Sequence, residues 1–521
     1  MAAKKPFVLV VLCVLAAAVV LSAGCISTGD SGTDLSNTLV YAGEGQTTIN
    51  LILNGYQDLT DLVFTGLMKF DAKANPVCDL AESYTYDPAS KTYTFNLRKD
   101  VTWHDGEKFT AEDVVFTYNV LIHDDTISSE ITSNYEDIES VTALNDYTVV
   151  FKMKQPNAAM LSYFTRGIAP EHLLKGQDIN TASFNQNPVG TGKYKFVEWD
   201  KANSMVILER NTDFYGKVPN IERIVYKHIQ SVNARSVALS TGEADLAWVN
   251  ANYAETFRGN SNYKNIDFKS ADYRAVSMNF GSDFWKKNAD SVAVLSYAVD
   301  KQRVVDSVFF EYGFAAYSPI QLSEYGGNKA ADKYSYNVEK FHKEMEKLGW
   351  KKGSDGIYER NGQDFHFICH VNADEEERVD VAQIVSDMLE KQGVIMELRV
   401  EANWDIAKYD AFLAGYAAEF DPDMMYANFV TGASGNSMQY SNADVDKLLA
   451  DGRHEENTEK RKAIYHEFEE VYADAPGLFI ICYIDANYVS IPGLNGLDTD
   501  RVLGHHAAGV MWNVEEWTLS K

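Results

Sequence analysis

Cysteine is scarce in this chain, five in 521 residues. Cys13 and Cys25 lie near the start, which leaves Cys78, Cys369 and Cys482 with no Cys-x-x-Cys pair. That excludes a disulfide-built scaffold and a paired-thiol zinc or redox site, and allows at most one internal disulfide. Three buried free thiols is the simpler reading. Basic residues are also short: 47 Lys and Arg stand against 75 Asp and Glu, a formal charge of −28. Such a surface repels nucleic acid and anionic lipid and weakly favours cationic or zwitterionic solutes. A salty environment explains the same excess. Catalytic signatures are missing too. No Gly-x-Ser-x-Gly, His-Glu-x-x-His or Gly-x-x-x-x-Gly-Lys-Ser/Thr string occurs. His104-Asp105 looks like an acid–base pair but sits in a tight turn. There is no internal repeat and no long low-complexity segment.

What is present is ordinary globular material, 45% apolar and 23% charged, with 30 Tyr and 26 Phe, far more aromatics than a disordered chain carries. The length allows two or three domains with sizeable cores. Lys4 and Lys5 precede an apolar run from Phe7 to Leu21. At about 15 residues the run suits a signal peptide and is short for a spanning helix. Leu21-Ser-Ala-Gly-Cys25 resembles a lipobox with its Leu one place further from the Cys than usual. Residues 1–24 therefore read as a signal peptide, Cys25 as the lipid anchor, and 25–37, rich in Ser, Thr, Gly and Asp, as a flexible tether. Plain secretion and an uncleaved anchor are the alternatives. Each puts the globular part outside the cytoplasm.

The most informative stretch is Tyr93-Thr-Phe-Asn-Leu-Arg-Lys-Asp-Val-Thr-Trp-His-Asp-Gly-Glu-Lys-Phe-Thr-Ala-Glu-Asp-Val-Val-Phe-Thr-Tyr118. Alternating Tyr93, Phe95 and Leu97 predict a half-buried strand. Asp105-Gly106 predicts a turn, and Thr110 with Asp113 a capping box that opens a helix. Tyr147 to Met153 alternates as well and predicts a hairpin over Val141–Met153, turning at Asn145-Asp146. A second stretch, Asn187-Pro-Val-Gly-Thr-Gly-Lys-Tyr-Lys-Phe-Val-Glu-Trp199, is a glycine-rich turn feeding a strand. From residue 268 onward strands and helices alternate, the pattern of parallel-sheet units.

These two stretches, with Thr241-Gly-Glu-Ala-Asp-Leu-Ala-Trp248 and Leu295-Ser-Tyr-Ala-Val-Asp-Lys301, closely resemble solute-binding family 5, the peptide/nickel-type extracellular receptors of ABC importers. The resemblance covers nearly all of 38–520. It implies an α/β, two-lobed periplasmic-binding-protein-like fold (type II, large peptide-binding cluster) with an extra subdomain inserted in lobe I. Lobe I would take 38–65, 186–272 and 486–521, the inserted subdomain 66–185 and lobe II 273–485. The implied function is capture of short peptides in an interlobe cleft and delivery to a permease driven by ATPase subunits. The protein would be a monomer without cofactor or catalysis, held on the outer face of the cytoplasmic membrane. A nickel chelate or another small cation is the alternative ligand. A cell-surface hydrolase and a permease-free sensor or chaperone-like binder are the remote alternatives.

The family's peptide receptors read Gly-Trp-x-x-Asp, a short spacer and Asp-Pro-Asp in lobe II, the first Asp binding a ligand's α-ammonium. Gly415-Tyr-Ala-Ala-Glu-Phe-Asp-Pro-Asp423 is similar with a spacer shorter by one. Counted from the Gly, the resemblance carries that role to Glu419, flanked by Tyr416 and Asp421; counted back from Asp421-Pro-Asp423, Ala418 falls at the site instead, and an ordinary loop acid is the bland reading of Glu419. No carboxylate clamp is evident, because Arg378 follows four acids and falls at a helix start. Position alone nominates Gly45, Gln46 and Tyr56 after the first strand, Trp248 and Asn250 after a later one, and Asn279 and Trp404 in lobe II. Aromatics and amides suit a site that reads peptide backbone. No metal site is expected. His366 and His370 lie four residues apart on a strand, roughly 13 Å, and His505-His506 reads as helix or loop surface.

Overall fold

The computed structural model describes residues 35–53, 58–403, 405–417 and 421–521. The chain opens with β1 (Thr38–Gly43), in which Leu39, Tyr41 and Ala42 are buried. It then leaves into an antiparallel sheet of β2 (Ala81–Asp87), β3 (Thr92–Leu97), β4 (Ile138–Asn145) and β5 (Thr148–Met153), ordered β2-β3-β5-β4. Tyr93, Phe95 and Leu97 face its core, as their alternation requires. The β4–β5 hairpin pairs Asn145 with Thr148 across Asp146.

Between β3 and β4 lie the signature turn and α1 (Ala111–His123). Gly106 takes a φ of 97°, open to glycine at no steric cost. The Thr110–Asp113 capping box forms, with the Thr110 N–H donating to Asp113 Oδ2 at 2.9 Å. His104 accepts from the Gly190 N–H at 3.2 Å, and its Nε2 lies 3.1 Å from the Gly192 carbonyl. The two signature stretches therefore hold each other, and His104 is a structural strut. Burial pushes its pKa down to about 4. The inserted sheet shares one hydrophobic core with lobe I.

Lobe I resumes with β6 (Tyr194–Asp200), β7 (Met205–Arg210), β8 (Arg223–His228), α2 (Val232–Ser240), β9 (Leu246–Val249), α3 (Ala251–Phe257) and β10 (Lys264–Phe268). After a short crossing, lobe II holds β11 (Asp272–Met278), β12 (Gly313–Ala315), β13 (His366–Asn372), α4 (Glu376–Gln392), β14 (Ile395–Glu401), β15 (Ala411–Ala417), α5 (Ala443–His454), α6 (Thr458–Asp474) and β16 (Leu478–Ile484). A second crossing at Asp485 leads to β17 (Ala486–Ser490), back in lobe I. The sheet orders are β10-β17-β9-β1-β8-β7-β6 and β12-β16-β11-β15-β13-β14.

Lobe II is less parallel than its helix–strand alternation predicts. Among the described residues the only parallel pairs in this sheet are β13 with β14 and β13 with β15. β11 is antiparallel to both β15 and β16. β11 leaves one crossing and β16 returns to the other; strands that enter and leave side by side must run in opposite directions. β16 is buried at every position because separate cores cover the two faces of this sheet. Cys369 and Cys482 are buried free thiols and Cys78 is a half-buried one.

Candidate functional site at the lobe junction

The carboxyl ends of β1, β8 and β9 lie together at one end of the lobe I sheet. β1 is parallel to both neighbours there, the arrangement that leaves a crevice beyond the strand ends. Glu44 follows β1 directly. The C-terminal segment Gly504–Ala508 threads between the lobes and pins itself with the Gly504 N–H donating to the Ala508 carbonyl at 2.9 Å. His506 and Ala507 take φ values of 52° and 60°, a left-handed conformation that costs non-glycine residues about 1–2 kcal/mol each. The surrounding structure over-determines it, a pattern associated with functional sites.

That conformation aims both imidazoles into the junction, with ring centres 4.1 Å apart. His506 Nδ1 lies 3.0 Å from Glu44 Oε2, and Arg378 Nη2 donates to His506 Nε2 at 3.1 Å. A polar chain thus runs from lobe I through the tail to lobe II. His505 Nδ1 lies 3.0 Å from Asp272 Oδ1, which also accepts from Arg274 Nη1 at 2.7 Å. Glu377 stands 3.8 Å from Arg274 Nη2. These groups converge because Gly415 has no side chain. A Cβ there would lie 2.7 Å from His505 Cε1, 2.8 Å from Arg274 Nη1 and 3.0 Å from Arg378 Nη2.

Charge and burial set the proton affinities. Burial opposes ionisation of Asp272, yet Arg274 and His505 outweigh it and hold its carboxyl well below the usual range. Burial pushes Glu377 up to about 7 despite the attraction of Arg274. His505 is pushed down, mainly by burial. His506 is pushed up: burial opposes its charge, but the Glu44 carboxylate prevails. Behind Glu44, burial raises Asp58 to about 7, against a hydrogen bond donated by the Tyr41 hydroxyl at 2.8 Å. Because Arg378 donates to Nε2 of His506, protonating that ring requires Arg378 to move.

A second set of contacts joins the inserted subdomain to lobe II. Tyr163 of the inserted subdomain donates to Asp423 Oδ2 at 2.7 Å. Asp423 accepts from Arg453 Nε and Nη2, both at 2.9 Å. Arg453 also reaches Glu136 of the insert at 2.8 Å. A groove of about 530 Å³ runs alongside, with Tyr135 and Glu136 on one wall and Tyr426 and Val430 on the other.

Of the residues nominated from sequence, Trp248 sits in the junction, its ring centre 5.7 Å from that of His506. Gly45 and Gln46 follow Glu44; the Gly45 N–H donates to Gln230 and the Gln46 N–H to His228 Nδ1, at 3.3 and 3.2 Å. Asn250 is the N-cap residue of α3. Tyr416 stacks on Tyr273 within lobe II, ring centres 5.8 Å apart. Asp421 is buried against Arg461 in two bonds of 2.8 and 2.5 Å. Asn279 donates to the carbonyls of Ile406 and Tyr409 and accepts from the Gly281 N–H. These last two brace lobe II. Cys25, Tyr56, Trp404 and Glu419 lie outside the described residues.

The sequence reading missed the tail and Arg378. His505-His506 is junction, not plain surface, and Arg378 on the first turn of α4 reaches it. The available signal was the pair of adjacent imidazoles close after Arg501. Among the described residues no group of three or more His, Cys, Asp or Glu could hold a metal ion by itself. No helix there is long and apolar enough to cross a membrane.

Two lobes meeting over a polar junction define a solute-binding protein. Comparison with known proteins agrees. Residues 75–437 match the profile of bacterial extracellular solute-binding proteins, family 5 Middle. The chain is 29% identical over 491 residues to the oligopeptide-binding protein AppA of Bacillus subtilis, covering 89% of this chain and 87% of that one. The structure of NikZ from Campylobacter jejuni in complex with Ni(L-His) superposes with a TM-score of 0.85 at 34% identity, covering 93% of this chain and 100% of NikZ. AppA from B. subtilis with a nonapeptide gives 0.81 at 26% identity, covering 93% and 99%. The protein belongs to family 5 of the bacterial extracellular solute-binding proteins.

Proposed function

We propose that the protein is the extracytoplasmic receptor of an ABC importer, taking a short peptide between its lobes and delivering it to a permease. The observation that carries this reading is the convergence of both charge signs at the junction. Arg274 and Arg378 bring positive charge to the junction, and Glu44, Asp272 and Glu377 bring negative charge, a mixed field that suits a zwitterionic solute. Relatives named as oligopeptide-binding support it. The role needs no catalysis, since binding energy alone shifts two lobes toward a closed form. Native mass spectrometry of gently purified protein, followed by calorimetry with the peptides recovered, tests it. Retained peptides that rebind tightly support the reading; failure of short peptides to bind ligand-free protein refutes it.

One observation favours a second reading, a nickel–amino-acid chelate. Two imidazoles meet at the junction, and the structure of NikZ holds Ni(L-His). A metal there would arrive with ligands of its own, because the described residues supply no complete metal set. Nickel and free histidine in the purified protein, together with no peptide binding, would put this reading first.

The same proposal places the protein on the outer face of the cytoplasmic membrane through Cys25, as a monomer. One acyl chain holds a protein only marginally, so a second chain or signal is required. Cys25→Ser should move the protein to the soluble fraction. Unchanged membrane fractionation would instead implicate an uncleaved Phe7–Leu21 segment.

A further inference from the structure

Arg235, on the first turn of α2, is 1% exposed, and its Nε and Nη1 make no hydrogen bond. A buried guanidinium is ordinarily paired, because desolvating its charge without a partner is expensive. Here its neighbour is an aromatic face: the guanidinium carbon sits 4.9 Å from the centre of the Trp248 ring. Trp248 is also the ring beside His506. Arg235 therefore belongs to the junction, on the lobe I side, next to the crevice beyond β1 and β9.

The surroundings point the same way. Two further buried polar atoms without a partner, Gln46 Oε1 and His228 Nε2, lie at the carboxyl ends of β1 and β8. His228 is the last residue of β8 and pairs in register with Gly43. Glu44, the nearby acid, is bonded to His506; burial opposes its charge, and Arg235, acting on it only through its field, helps His506 hold the Glu44 carboxyl below its usual range. This end of the lobe I sheet thus carries donors and an acceptor that the protein itself leaves unused. A guanidinium held beside an aromatic face, with N–H groups that have no partner, fits an oxyanion through a charge-assisted N–H bond.

We infer that Arg235, stacked on Trp248, receives the carboxylate of the bound solute and makes the receptor selective for free acids over their amides. The inference rests on the reading of the solute as an amino acid derivative, whether peptide or chelate, and names the anchor of its carboxyl end. Arg235 would then supply the clamp that the sequence around Arg378 gave no reason to expect.

The test uses matched probes on the full chain stripped of ligand: short peptides and their C-terminal amides, and nickel–histidine against nickel–histidinamide. Calorimetry on native protein should favour the acid of whichever pair binds by roughly 10- to 150-fold, the range for hydrogen bonds to charged groups. Arg235→Gln should erase that ratio by weakening the acid alone. Arg235→Lys, which keeps the charge but not the planar guanidinium, should restore part of it, and its thermal melting checks that the lobe is folded. Equal binding of acid and amide by native protein overturns the inference, as does an undiminished ratio in a folded Arg235→Gln variant. Either result leaves the amino-acid-derived ligand standing. If no pair binds the native protein, that broader reading falls and this one with it.

Discussion

Replacing Tyr163 with Phe removes one hydroxyl. That hydroxyl donates to Asp423 across the contact between the inserted subdomain and lobe II. The insert shares its core with lobe I, so opening the lobes must break this bond. The side chains of Asp423 and Arg453 are 0% and 1% exposed, so the bond forms in a dry, low-dielectric setting. Arg453 still satisfies Asp423 in the variant, which keeps the loss toward the lower end for a hydrogen bond to a charged group, about 1–2 kcal/mol. That is a factor of roughly 5–30 in the equilibrium between shut and open forms. A solute that binds only the shut form loses the same factor in affinity, mostly through faster release. Stopped-flow release and calorimetry of a co-purified ligand on Tyr163→Phe measure it. Glu136→Gln is the control. Its carboxylate is 51% exposed, so its pair with Arg453 contributes at most about 1 kcal/mol. Unchanged release from a folded Tyr163→Phe variant would refute the idea that this contact holds the lobes together.

Gly415→Ala should leave the fold intact and weaken solute binding, because its methyl displaces His505, Arg274 and Arg378 from one another; circular dichroism and calorimetry separate the two effects. Glu377 has its pKa raised from 4.5 to about 7 in the folded protein, so it favours folding while protonated, and that contribution is lost as pH rises from about 4.5 through 7. Glu377→Gln should therefore stabilise the protein at pH 8, by roughly 3 kcal/mol, and flatten the slope of stability across that window in urea unfolding. Glu419→Gln should weaken free peptides by about 3–5 kcal/mol if the residue pairs with their α-ammonium; N-acetylated peptides binding native protein as tightly as free ones would exclude the pairing.

The local elements were legible because short-range chemistry decides them. The alternation of Tyr93, Phe95 and Leu97, the Asp105-Gly106 turn, the Thr110–Asp113 box and the Asn145-Asp146 hairpin each involve groups within a few residues, and each forms as read. The signature stretches also identified the family correctly, and with it the two-lobed class. The direction of the strands in lobe II was not legible, because helix–strand alternation does not say which strands stand beside the two crossings. The junction was hidden for a related reason. Glu44, Asp272, Arg274, Glu377, Arg378 and His506 are spread from one end of the chain to the other, and nothing in the spacing of Glu375-Glu-Glu-Arg378 or His505-His506 marks a partner. Only the crossings bring β1, β11, α4 and the C-terminal segment to one place, and only there do their charges act at bonding distance. The sequence by itself determined the local elements and the type of receptor. The tertiary structure decided which polar groups meet, because Coulomb attraction and hydrogen bonding depend on separation in space and not on separation along the chain.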